Sequence, residues 1–129
     1  MSGVGRSPAA TILEFFRRFD AEDVEGLLEL FADDATFSMI LYERELRGKA
    51  ELAEFFRMHL ANWRTHREWA TSVIVDGRSA ASELHFEGVT HDGKEVVMDN
   101  LNVWDFTDDG LIQRIRVYAD TAPILAALA

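Results

Sequence analysis

The chain has 129 residues, 48% of them hydrophobic, and a formal net charge of −10. That length and apolar content suit one domain around one core and argue against wholesale disorder. The acidic balance argues against a nucleic-acid partner and against an anionic membrane surface, and the absence of cysteine excludes disulfides, zinc–thiolate sites and thiol nucleophiles.

Residues 1–7 are Gly-rich and polar and predict a flexible N-terminus ahead of one domain over 8–129. No signal-peptide core is legible, because Glu14, Arg17 and Arg18 interrupt the first apolar stretch. No run approaches the ~18 apolar residues of a membrane span. The expected location is therefore cytoplasmic.

Ser7-Pro8 reads as N-cap and first helical position. Ile12, Phe15, Phe16 and Phe19 follow at helical spacing. Asp20 can cap a second helix, whose stripe is Val24, Leu27, Leu28 and Phe31. Asp33-Asp34 reads as a polar break and residues 35–40 as a short strand. Residues 42–48 read as a charged loop. A third helix is expected from Lys49 to Trp63, with Leu52, Phe55, Phe56, Leu60 and Trp63 on one stripe and His59 in register with it.

From residue 66 the period changes to two. Strands are expected at 66–75, 80–89, 95–106 and 111–119, separated by Asp76-Gly77, His91-Asp92-Gly93 and Asp108-Asp109-Gly110. Such short connections force an antiparallel meander. Thr121-Ala122-Pro123 opens a short final helix. Three helices followed by long strands predict an α+β fold, a cone in which helices cover one face of a strongly curved sheet.

Alternation assigns the faces. Glu83, His85, Glu87, Asp99, Asp105, Arg114 and Arg116 belong on the convex side, since burying them in the cone would be costly. Val97, Leu101, Val103, Ile112 and Tyr118 share that side, and a half-apolar outer face predicts a homodimer through the sheet. The inward polar residues are then Asn100, Asn102, His59, Gln113, and Ser38 or Tyr42. They either satisfy one another or await a ligand.

Three strings carry a resemblance: residues 22–37 (EDVEGLLELFADDATF), 47–56 (RGKAELAEFF), and 110–112 with 116–120 (GLI, RVYAD). With the element order, they make residues 8–127 resemble the nuclear-transport-factor-2-like superfamily, in its SnoaL-like and ketosteroid-isomerase-like branch. The resemblance implies the cone fold. It implies isomerase, cyclase, dehydratase, epoxide-hydrolase or non-catalytic roles alike.

Carried over residue by residue, the isomerase base falls on Met39, the oxyanion-hole tyrosine on Phe15 and the second oxyanion donor on Asn102. An amide can still donate to an oxyanion. Met39 takes no proton, so orthodox isomerase chemistry is not expected. The acid–base triad of the limonene-epoxide-hydrolase branch finds Ser82, Leu84, Phe86 and Val117 at its inward positions. The SnoaL-like cyclases leave His59 as the inward acid/base candidate.

The resulting expectation is a small-molecule-binding protein, an isomerase or cyclase of an apolar carbonyl compound without cofactor. Asn102 and His59 are its catalytic residues. Asn100, Phe15, Met39, Tyr42, Phe56, Trp63, Phe86, Trp104 and Val117 line its pocket. The alternatives are a histidine packed on Trp63, an amide pair that only bridges strands, aromatics that are simply core, and a non-catalytic module that has lost its base. The four histidines show no metal-ligand spacing, so no metal is expected.

Overall fold

The computed structural model describes residues 6–39 and 44–128, with side chains through Ala127. Its elements are α1 (Pro8–Asp20), α2 (Val24–Glu29), β1 (Phe31–Met39), β2 (Leu46–Arg47), α3 (Gly48–Leu60), β3 (Trp63–Asp76), β4 (Ser79–Thr90), β5 (Glu95–Phe106), β6 (Ile112–Ala119) and α4 (Ala122–Leu128). The six strands form one sheet in the order β2-β1-β6-β5-β4-β3. All neighbours are antiparallel except β1 and β6, which run parallel. This is the expected α+β architecture.

Helix α1 starts where Ser7 Oγ accepts the Ala10 N–H at 3.2 Å and Pro8 needs no intrahelical donor bond. It buries Ile12, Phe15, Phe16 and Phe19. It closes with the Asp23 N–H on the Arg18 carbonyl and the Glu22 N–H on that of Phe19, which places Glu22 in the left-handed region at φ 57°. Asp23, not Asp20, caps α2, accepting from the Gly26 N–H at 2.9 Å. Asp20 is drawn instead to β3.

Several expected boundaries move. Phe31 opens β1 instead of closing α2, so Asp33 and Asp34 are exposed strand residues and not a break. Trp63 opens β3 instead of closing α3. Leu46 and Arg47, expected in a loop, pair with Phe37 and Thr36 as a sixth strand.

Bulges decide which side chains reach the cone. On β6 the pairing steps from Asp105↔Arg114 to Phe106↔Ile112, leaving Gln113 over. That extra residue inverts the alternation. Ile112, expected on the convex face, is fully buried, and Gln113, expected inside, reaches out to donate to Asp34 Oδ1 at 3.1 Å. On β3 the pairing steps from Ser72↔Glu83 to Ala70↔Leu84, which leaves Thr71 over and turns Ala70, Glu68 and His66 inward.

The core lies between the helices and the concave face. Trp104 is fully buried, its Nε1–H donating to Ser82 Oγ at 2.9 Å and its ring edge-on to Phe15 at 5.2 Å. Among the described residues no helix is long and apolar enough to cross a membrane.

Candidate active site in the cone

A small cavity of about 50 Å³ lies between α1, α3 and the concave sheet face. Phe15, Phe19, Phe37, Met39, Phe55, Phe56, Leu84, Phe86, Met98 and Val117 make its apolar wall. Among the described residues, four polar side chains break that wall: His59, Glu68, Asn100 and Asn102.

The strands explain why these four meet. Glu68 on β3 pairs with Phe86 on β4, which pairs with Met98 on β5. Asn100 and Asn102 follow Met98 at alternate positions, and Asn102 pairs with Val117 on β6. His59 enters from the last turn of α3. Its ring lies 5.8 Å from Phe55, 5.7 Å from Phe19 and 6.2 Å from Trp63.

The electrostatics of the cavity drive Glu68 and His59 in opposite directions. Burial pushes the Glu68 carboxyl up from 4.5 to about 8, and the nearby Asp20 carboxylate adds to the rise. Burial pulls the His59 imidazole down from 6.5 to about 4, helped by His66. Near neutral pH the cavity therefore holds a carboxylic acid that can donate a proton and a neutral imidazole that can accept one.

The amides differ in their freedom. Asn100 Oδ1 accepts the Asp120 N–H at 3.2 Å, which ties β5 to the end of β6. Asn102 is buried with its Oδ1 unpartnered among the described residues. A buried acceptor left open is costly and is answered by a ligand donor.

Of the residues expected at the site, His59, Asn100, Asn102, Phe15, Met39, Phe56, Phe86 and Val117 line the cavity. Trp104 stands behind the wall, in the core. Trp63 also lies outside the lining, packed on Phe86 at 4.7 Å. Tyr42 lies outside the described residues. Glu68 was not anticipated: the Arg67-Glu68 pair gives no inward–outward contrast, and the bulge at Thr71 shifts its face. Among the described residues no group of three or more His, Asp or Glu side chains could hold a metal ion.

A second, larger cavity of about 300 Å³ lies on the outer side of α3, lined by Arg44, Leu46, Glu51, Glu54, Phe55, Met58, His59 and Asn62. Phe55 and His59 line both cavities and form the wall between them.

Comparison with known proteins adds the family. The model of the SnoaL-like domain matches residues 12–115. Among solved structures, the epoxide hydrolase/cyclase-like enzyme SalBIII, which has a role in pyran ring formation in the polyether salinomycin, is 21% identical. It superposes with a TM-score of 0.80 over 90% of this chain and 92% of its own. TerC, crystallised with polyporic acid, is 21% identical with a TM-score of 0.82 over 93% and 97%. An NTF2-like protein of unknown function from Burkholderia pseudomallei is 19% identical with a TM-score of 0.83 over 98% and 97%. At these identities the likeness is one of fold.

Proposed function

The chain belongs to the SnoaL-like domain family, and from that premise we propose that it is an acid–base enzyme that isomerises or cyclises a small apolar carbonyl compound. The observation that carries the reading is the neutral Glu68 carboxyl, held up to about 8, facing the same apolar cavity as a neutral His59. Environments that push two titratable groups apart are how an acid and a base are assigned within one site.

In this reading the substrate carbonyl oxygen takes a proton from Glu68, and His59 removes the proton from the adjacent carbon. The enol that forms collapses to the shifted double bond or attacks an internal electrophile. Return of one proton from imidazolium and of one to Glu68 restores both groups. The open Asn102 Oδ1 can accept the enol O–H that forms, a role its position at the cavity supports. Cyclisation by SalBIII belongs to that enzyme; it agrees with the class proposed here and does not supply the substrate.

Turnover of the wild type against Glu68→Gln and His59→Phe, on a panel of enones, linear polyketides and hydroxy-epoxides, tests the proposal. A positioned acid or base contributes roughly 10²–10⁴-fold, and losses of that order are expected from each change. Equal rates in all three proteins refute it.

The small inner cavity favours a second reading. At about 50 Å³ it holds little more than a water molecule, whose share of liquid is ~30 Å³. If Phe55 and His59 never part, the domain is a non-catalytic module with a filled core. Failure of every probe in the panel to bind supports that reading.

We also propose that two copies pair through the outer sheet face. Val97, Leu101, Tyr118 and Trp69 are exposed there, among the opposite charges Glu83, Asp99 and Arg114. Sedimentation of wild type and Leu101→Asp tests it: a dimer that becomes a monomer is expected, and a wild-type monomer refutes it.

A further inference from the structure

Strand β3 brings a second set of titratable groups to Glu68. His66 lies two residues before it, on the same inward face, with its side chain only 2% exposed. The end of α1 covers both residues. Asp20 Oδ1 accepts the Glu68 N–H at 2.9 Å and lies 3.8 Å from His66 Nδ1. Glu22 Oε2 lies 2.9 Å from His66 Nε2.

Two features of this set bear on Glu68. The first is Glu22, a non-glycine residue in the left-handed conformation that closes α1. Glycine adopts that conformation without strain, whereas glutamate does not. The side chain gained in exchange is the carboxylate on His66. The second is His66 Nδ1, which is buried without a hydrogen-bond partner among the described residues and faces Asp20 from just beyond bonding distance.

We propose that Glu22, His66 and Asp20 are a positioning network for Glu68, which anchors it beside the cavity and sets its charge through Asp20. Glu22 orients the imidazole, the imidazole faces Asp20, and Asp20 grips the backbone of Glu68 while lending it a neighbouring negative charge. The network rests on the acid role of Glu68 for its catalytic meaning, and not for its existence.

The charged and titratable groups around Glu68 can be named. Asp20 and Glu22 come from the end of α1, His66 from β3 and His59 from α3, while β4 presents Phe86 and Gly88. Arg67 points to the other face, onto Glu87 at 3.3 Å, and acts on Asp20 only at a distance. Asp20 is thus the anionic neighbour that can hold Glu68 protonated, and it is itself pushed up by burial.

The network itself is tested without substrate. Glutamate carboxyls labelled with ¹³C are titrated by NMR in wild type, Asp20→Asn and Glu22→Gly, with Glu68→Gln assigning the signal. Asp20→Asn keeps an oxygen acceptor for the Glu68 N–H and removes only the charge. It is expected to lower the Glu68 midpoint by about one unit. Glu22→Gly relieves the left-handed strain, so it is expected to raise the thermal midpoint while displacing the Glu68 titration. An unchanged Glu68 midpoint in either variant overturns the network. A midpoint that moves in both while Glu68→Gln leaves turnover intact sustains the network and defeats the catalytic reading instead.

Discussion

Phe55 and His59 stack one turn apart on α3, ring centroids 5.8 Å apart and planes 21° apart, and stand between the inner cavity and the outer one. Neither ring is fully buried. Parting them joins the about 300 Å³ outer space to the inner chamber, which brings the site into the ~300–1,000 Å³ range of small-molecule pockets.

Phe55→Ala is therefore expected to open the cone permanently. Truncating a buried Phe costs ~3–5 kcal/mol, and this half-buried ring should cost about 2. An environment-sensitive apolar dye should bind the variant and bind wild type weakly or not at all. Equal dye binding would show that Phe55 does not close the inner cavity.

Stability should respond to pH in two windows of opposite sign. The Glu68 carboxyl is raised in the folded state, so its contribution is fully present below its unfolded value of 4.5 and is lost as pH rises towards about 8. The His59 imidazole is depressed, so its contribution is present above 6.5 and is lost as pH falls towards about 4. The two oppose each other between 4.5 and 6.5. Glu68→Gln should gain stability relative to wild type as pH climbs from 5 to 8, measured by urea unfolding at each pH. A constant difference between the two proteins would contradict the Glu68 assignment.

The Trp104–Ser82 bond fixes the floor of the cone. Ser82→Ala leaves the indole N–H buried without its acceptor, and an orphaned donor costs about 1–3 kcal/mol. Denaturant midpoints should fall accordingly, with no change in the denaturant slope.

Gly88 lies opposite His66 on the β3–β4 ladder. A Cβ there would meet Trp63 Cε3 at 2.7 Å and Phe86 Cε1 and Cζ at 2.8 Å. Gly88→Ala should cost about 1–3 kcal/mol by overpacking, read in the same unfolding experiment.

Much of the fold was legible in the sequence because its signals are periodic. The stripe Ile12, Phe15, Phe16 and Phe19, the Ser7-Pro8 cap and the 95–106 strand lie where their spacing places them. The site was less legible because it depends on irregularity. Counting back from the Asp76-Gly77 turn sets Glu68 opposite Glu87, on the outside. The extra Thr71 shifts the partner to Phe86, on the inside. The same inversion at Gln113 buries Ile112. Nor does spacing tell Asp20 from Asp23 as the cap of α2, since both precede an apolar run; only the arrival of β3 at the end of α1 decides between them. His59 and Asn102 were found because an alternating or helical pattern alone carries them to the cavity.

The central claim is that Glu68 is a neutral acid inside the cone near neutral pH, and the ¹³C-carboxyl titration of wild-type Glu68 tests it most directly. A single midpoint near 8 is expected, well apart from the exposed glutamates. A midpoint in the ordinary glutamate range, about 4.3, would contradict it.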